Sequence, residues 1–183
     1  EFAVKLLKID GPKPEIPTRE KADEALAAIR GESLVVGEVV EKDRLRNPQP
    51  PFITSTLQRE AAGRLGFSAK KTMLVAQQLY EGVDLGPEGS VALISYMRTD
   101  STRVSDEARK QGTAYLRETF GEDVVAGGAK SFRKAKLAQD AHEAIRPTDC
   151  FRTPDSVKAH LGKDHLSLYR LIWQRFLASL AAS

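Results

Sequence analysis

The sequence of 183 residues is poor in features that would assign it to a class at once. It contains one cysteine, Cys150, so neither an intramolecular disulfide nor a cysteine metal cage can form, which is typical of a reducing compartment. No apolar run reaches the ~20 residues that span a bilayer, and no signal sequence opens the chain. We therefore expect a cytoplasmic protein without a membrane partner.

Metal-ligand patterns and a strong charge of one sign are also missing. His160 and His165 have no partners at ligand spacing, and no Asp-x-Asp pair occurs, so we expect no metal site within this chain. The 28 basic and 25 acidic residues leave a net charge of +3, which is too small to indicate nucleic acid as a partner by itself. Basic side chains do concentrate around Lys70 and Lys71 and again in residues 130–136, where they form either solvated faces or contacts with a DNA backbone.

Periodicity and capping signals predict a mainly α protein with a smaller β part, an α+β fold. Strands are expected over residues 4–9, 34–46 and 91–97. Helices are expected over residues 19–30, 55–65, 69–81, 105–120, 138–145 and 165–180, with a further one starting at Thr153-Pro154. The expected caps are Thr18, Ser68 and Ser105, a capping box of Ser55 and Gln58 is expected to start the second helix, and Gly31 and Gly66 are expected to end the first two helices. The turn Gly66-Phe67-Ser68 separates two of these helices, which indicates a helix-turn-helix-like unit.

A proline-rich linker over residues 47–51 divides the pattern, because proline can continue neither a helix nor a strand ladder. The predicted domains are a strand-rich part over residues 1–55 and a helical domain over residues 56–183. The chain opens without Met in a strand-like run and closes inside a helical pattern, so we expect it to be an excised piece of a longer protein.

Tyr96 and Arg98 form the first candidate site. Residues two apart on a strand share a face, so Arg98 could neutralise a phosphate beside the Tyr96 phenol. A nearby cation would stabilise both the phenolate and the charge that develops on phosphorus, and a tyrosyl phosphodiester would keep the energy of a broken DNA strand without ATP. The alternative is a strand tyrosine that serves packing only.

His142 and Arg146 form the second candidate site. Their i,i+4 spacing predicts neighbours on one helix face, where they could bind a phosphate or a backbone oxygen, and His142 could exchange a proton near neutral pH. The alternative is a surface helix on which Glu143 pairs with Arg146.

Three segments together resemble the signature segments of type IA DNA topoisomerases, and they occur in the same order. They read PFITSTLQ at 51–58, YMRTDST at 96–102 and AHEAIRPTD at 141–149. Met97 is typical of the bacterial topoisomerase I branch, whereas topoisomerase III relatives more often have proline at this place. The resemblance implies that Tyr96 attacks one DNA strand to give a 5′-phosphotyrosyl link, that Arg98 holds the scissile phosphate, and that His142 lies near the DNA backbone.

The resemblance also implies supporting roles for Asp100, Glu143 and Arg146. It implies a tyrosine-bearing helical domain joined to part of a strand-rich arch that acts as its hinge. The substrate would be a single-stranded DNA segment, and the reaction would relax negative supercoils. The parent chain would add a Toprim domain, a groove domain and the ligands for Mg²⁺, so this piece alone would bind no cofactor and would be inactive.

A second interpretation comes from another class of protein. In a non-catalytic winged-helix module, residues 69–81 would be the recognition helix, residues 82–97 would form the wing, and Lys70 and Lys71 would contact DNA. Such a module would not need Tyr96.

Overall fold

The computed structural model describes residues 5–8, 11–33, 35–42, 47–125 and 142–182. It divides into two compact units, Glu1–Asp43 and Arg44–Ser183. The described residues are mainly helical with one two-stranded antiparallel sheet, which confirms the α+β class. The domain assignment of 1–55 and 56–183 stays a prediction. The second basic cluster and most of the predicted helix 138–145 lie outside the described residues.

The first unit contains helix α1, Arg19–Arg30. As predicted, the Thr18 side chain caps it by accepting a hydrogen bond from the Lys21 N–H at 3.4 Å, and Gly31 ends it. The predicted arch strands are wrong over residues 5–8 and 35–42, which adopt no strand. A strand is stable only when its backbone groups are paired, and within the described ranges no segment pairs with these residues, so valines such as Val35 remain exposed.

The described residues of the second unit form four long helices and a short hairpin. The helices are α2 (Thr54–Leu65), α3 (Ala69–Glu81), α4 (Asp106–Phe120) and α5 (Lys163–Leu180), and the hairpin pairs β1 (Val83–Asp84) with β2 (Ser90–Val91). Ser68 and Ser105 cap α3 and α4 as predicted. Gly66 ends α2 with a left-handed φ of 67°, a conformation in which glycine has no steric penalty. Single turns of 3₁₀ helix occur at Gly86–Glu88, Glu122–Val124 and Lys158–His160.

The start of α2 differs from the prediction by one residue. The expected capping box of Ser55 and Gln58 is wrong, because the Thr56 hydroxyl instead accepts a hydrogen bond from the Ile53 N–H at 3.0 Å. The helix therefore begins at Thr54.

Three other predicted elements are wrong in the described part of the chain. The strand over 91–97 is reduced to β2 and an isolated bridge between Ile94 and Pro147. Residues 142–145 are not helical, because the amides of Ala144 and Ile145 donate to distant carbonyls rather than to the preceding turn. In place of a helix from Thr153 there is a tight turn, in which the Thr153 hydroxyl accepts from the Ser156 N–H at 3.2 Å.

Helix α5 joins the two hydrophobic clusters of the second unit. One cluster unites α2, α3 and α5 through side chains such as Leu57, Leu79 and Ile172, and the other unites α4 and the end of α5 through Phe176 and neighbouring residues. The single tryptophan, Trp173, packs against both clusters. Because the segments around residues 52 and 94 belong to the first cluster, this core also fixes the positions of Tyr96 and its neighbours.

None of the helices in the described part of the chain is both long and apolar enough to cross a membrane.

Gly112 allows α4 to lie close to α5. A Cβ atom at this position would lie 2.5 Å from Leu180 Cδ1 and 3.1 Å from Phe176 Cε1. The Leu180 end can turn aside, but the Phe176 ring is fully buried, so we expect Gly112→Ala to lower the free energy of unfolding by about 1–3 kcal/mol. The measurement is denaturant unfolding followed by Trp173 fluorescence.

Gly63→Ala in α2 is the matched control for this prediction. A Cβ atom there meets nothing within 4 Å, so no steric clash offsets the higher helix propensity of alanine. We expect the free energy of unfolding to rise by up to about 1 kcal/mol. A Gly112→Ala variant that is as stable as the Gly63→Ala variant would show that the two helices tolerate the added methyl group.

Candidate active site

The segment that carries Tyr96 alternates between exposed and buried side chains. Tyr96, Arg98 and Asp100 are exposed, whereas Met97 and Thr99 are buried. The face shared by Tyr96 and Arg98, which the sequence predicts for a strand, is thus present although the segment pairs at only one bridge. The buried residues anchor the segment, and the exposed ones are available to a ligand.

Ser95 holds this segment to residues 144–146. Its N–H donates to the Arg146 carbonyl at 2.9 Å. Its hydroxyl donates to the Ala144 carbonyl at 2.7 Å and accepts from the Arg146 N–H at 3.0 Å. The residue immediately before Tyr96 is therefore fixed by three hydrogen bonds to a segment about 50 residues further along the chain.

The Tyr96 ring lies between two other rings. The His142 ring is 6.0 Å away, centroid to centroid, and inclined by 28°, while the Tyr80 ring is 5.4 Å away and meets it edge-on at 66°. Tyr96 is 39% exposed, and its hydroxyl has no hydrogen-bond partner among the described residues. The sequence analysis did not identify Tyr80, which lies in the last turn of α3. Its only signal was an aromatic residue at the end of an amphipathic helix.

A cleft of about 470 Å³ brings Arg98 and His142 together beside the tyrosine. Its other lining residues are Ile53, Thr54, Ser55, Thr99 and Asp100. Within the described ranges the Arg98 guanidinium forms no ion pair and no hydrogen bond. An exposed, uncompensated guanidinium in a cleft is suited to an anionic group such as a phosphate.

Arg146 and Glu143 are not part of this cleft. The expected helix face shared by His142 and Arg146 is wrong, because Ile145 donates its N–H to the Phe52 carbonyl at 2.8 Å and the backbone is extended there. The Arg146 guanidinium instead lies 2.8 Å from the Glu143 carboxylate and also donates to the Pro147 carbonyl at 3.0 Å. This is the Glu143–Arg146 pair of the alternative interpretation, formed without a helix.

The two lysines near the start of α3 have different surroundings. Lys71 lies 2.8 Å from the Asp164 carboxylate and 4.2 Å above the Phe67 ring, whereas Lys70 is exposed and unpaired within the described ranges. Further along α3, the Gln77 amide bonds to Glu81, and the Gln78 carbonyl oxygen lies 2.9 Å from His165 Nε2. Much of the polar surface of α3 is therefore already engaged within the chain.

Two other potential nucleophiles are buried. Burial, reinforced by the charge of Asp149, raises the pKa of the Cys150 thiol to about 12, so it is protonated at neutral pH. Burial also raises the pKa of Tyr169, whose hydroxyl donates to the Arg152 carbonyl at 2.6 Å. Tyr96 differs from both because it is exposed and is two residues from Arg98, whose guanidinium has no ion-pair partner among the described residues.

The described residues contain no group of three His, Cys, Asp or Glu side chains that could hold a metal ion.

The family model for DNA topoisomerase matches residues 8–183. The chain therefore belongs to the DNA topoisomerase family, and its three signature segments place it in the type IA class, as the sequence resemblance predicts. Full-length topoisomerase I from Thermotoga maritima is similar to this chain, with 44% sequence identity and a TM-score of 0.69. The match covers 96% of this chain and 27% of that protein, so the chain spans about a quarter of the length of its relative.

Proposed function

We propose that this chain contributes the nucleophile of a DNA topoisomerase that cuts and rejoins one strand. The observation that carries the proposal is an exposed Tyr96 beside a cleft lined by both the unpaired Arg98 and His142. The Tyr96 hydroxyl loses its proton as its oxygen bonds to phosphorus, the bond from phosphorus to the 3′-oxygen breaks, and the 3′-oxygen takes up one proton in exchange. The products are a 5′-phosphotyrosyl link and a free 3′-hydroxyl. Reversal rejoins the strand without ATP, because one phosphodiester has replaced another.

The surrounding residues have distinct proposed roles. Arg98 neutralises the scissile phosphate and the charge that develops on it during transfer. His142, stacked on the Tyr96 ring, contacts the DNA backbone. Asp100 supports the site from the wall of the same cleft. The Glu143–Arg146 pair keeps the segment that follows His142 in its extended path.

The proposed substrate is a single-stranded segment of negatively supercoiled DNA, which places the site of action at the nucleoid. We propose that the rest of a longer chain supplies the Toprim and groove domains, since the chain matches only 27% of its T. maritima relative. Mg²⁺ does not fit the described residues, which provide no cluster of ligands, so we assign its ligands to that other part.

This assignment predicts that the 183-residue chain alone is inactive. Mixed with an end-labelled single-stranded oligonucleotide, it should form no adduct that survives SDS. The groups that would face Tyr96 across the DNA belong, in this proposal, to the rest of the longer chain. The same oligonucleotide with the longer enzyme is the positive control. Efficient adduct formation by the isolated chain would contradict the division of the site.

A non-catalytic winged-helix module is the second candidate function. The succession of α2, α3 and the β1–β2 hairpin favours it, because this is the order of a helix pair followed by a wing. Against it, Lys71, Gln77 and Gln78 on α3 are engaged within the chain and are poorly placed to contact base edges. Tyr96→Phe in the full-length enzyme separates the two functions. Loss of relaxation with DNA binding retained supports catalysis, whereas retained relaxation with weaker binding after Lys70→Ala supports the module.

A further inference from the structure

Thr54, the first residue of α2, is bonded to the backbone on both sides of Arg98. Its single hydroxyl proton points to the Met97 carbonyl at 2.8 Å, with the Thr99 carbonyl as a second acceptor at 3.1 Å, and its oxygen accepts from the Thr99 N–H at 2.9 Å. The Thr54 N–H also donates to the Thr99 carbonyl at 2.9 Å. Four contacts from one residue thus reach a segment that is more than 40 residues away in sequence.

These bonds restrict the backbone from which the Arg98 side chain projects. Met97 and Thr99 are buried, so water cannot readily replace a lost partner for their polar groups. When both neighbouring peptide groups are fixed, the φ and ψ angles of Arg98 have little freedom. The direction of the Arg98 Cα–Cβ bond, from which the side chain extends, is therefore fixed by the bonds to Thr54, and both residues line the same cleft.

The Thr54 hydroxyl is not needed to start α2. The N-cap of the helix is Ile53, and the Thr56 hydroxyl satisfies the Ile53 N–H. Helix capping and the contacts to residues 97–99 thus belong to two different threonines of one helical turn. Each hydroxyl can therefore be removed without removing the other, and a substitution of Thr56 serves as the control for a substitution of Thr54.

We propose that Thr54 is a positioning residue for strand cleavage and rejoining, acting through Arg98. This inference rests on the proposed function, in which Arg98 holds the scissile phosphate. The Thr54 hydroxyl keeps the Met97–Thr99 backbone in place, so the guanidinium is already aimed at the phosphate when DNA binds. Preorganisation of this kind matters because small misplacements of a catalytic group cost large factors in rate.

The test compares Thr54→Val, Thr54→Ser and the matched control Thr56→Val in the full-length topoisomerase. We expect Thr54→Val to slow single-turnover cleavage of an oligonucleotide by about 10- to 100-fold, with the Kd for DNA changed less than about threefold. Thr54→Ser keeps the hydroxyl and should stay within about threefold of the unmodified enzyme, as should Thr56→Val. A cleavage rate for Thr54→Val equal to that of Thr56→Val would overturn the proposal.

A double-mutant cycle distinguishes positioning from general stabilisation. In an Arg98→Ala background, Thr54→Val should cause little further loss, because the group that it positions is gone. A full, additive loss in that background would assign Thr54 a merely structural role. If Thr54→Val does not fold, Thr54→Ser provides the test instead. This variant keeps the hydroxyl, so a cleavage rate lowered by more than about tenfold would contradict the proposed role of the hydroxyl. Normal relaxation by Tyr96→Phe would instead reject the proposed function itself.

Discussion

Replacement of Tyr96 by phenylalanine in the full-length enzyme should abolish covalent attachment to DNA and reduce relaxation by roughly 10⁴-fold or more. Only the attacking oxygen is removed. The ring remains, so its contacts with Tyr80 and His142 are kept, and the hydroxyl has no partner to lose in the described structure. We therefore expect the variant to keep its stability and its affinity for single-stranded DNA.

Three measurements check this prediction: SDS-resistant adducts on an end-labelled oligonucleotide, relaxation of a supercoiled plasmid, and the Kd for the same oligonucleotide. The control is Tyr115→Phe, which removes the same hydroxyl from a half-buried tyrosine on α4 that contacts Phe151 and Trp173. It should relax DNA normally. Relaxation by Tyr96→Phe at the rate of Tyr115→Phe would eliminate Tyr96 as the nucleophile.

Replacement of Phe52 by alanine should have the largest effect on stability, lowering the free energy of unfolding by about 3–5 kcal/mol. The Phe52 side chain is 1% exposed within the larger cluster, and the Arg175 guanidinium lies 4.7 Å from its ring centroid. The substitution leaves a cavity and also removes the aromatic face that Arg175 covers. The bridge between Phe52 and Ile145 would loosen as well, close to the start of α2.

Unfolding in denaturant, followed by the fluorescence of the single Trp173, reports on the second unit, where Phe52 lies. Phe120→Ala is the comparison, because that side chain at the end of α4 is 60% exposed and its loss should cost no more than about 0.5 kcal/mol. Similar unfolding midpoints for the two variants would show that the Phe52 pocket is not part of the cooperative core.

The sequence predicts α1, α3 and α4 well because their starts are determined locally. Thr18, Ser68 and Ser105 each accept a hydrogen bond from an amide three residues ahead, and Gly66 adopts a left-handed conformation that other residues avoid. Such signals lie within a few residues of the position they determine. They can be read without knowledge of the rest of the fold.

The site is harder to predict because partners far along the chain determine its backbone. Residues 142–145 have a helical pattern, yet the amides of Ala144 and Ile145 bond to the Arg103 and Phe52 carbonyls, which no local signal indicates. The shared face of Tyr96 and Arg98 could be predicted from alternation, whereas the proximity of His142 was expected only through the family resemblance. Thr54 has no local signal either, because its partners at Met97 and Thr99 are more than 40 residues away in sequence.

The hydrogen bonds that flank Tyr96 have a mechanical consequence for the proposed covalent state. A strand joined to the tyrosine transmits any tension in the DNA to the protein backbone at that point. Ser95 on one side and Thr54 on the other distribute this force over three chain segments, 52–54, 94–99 and 144–147. A tyrosine on a helix end could be pulled free one turn at a time, whereas here several non-local hydrogen bonds must break together. In the proposed covalent state, the broken strand would therefore be held firmly to the second unit of this chain.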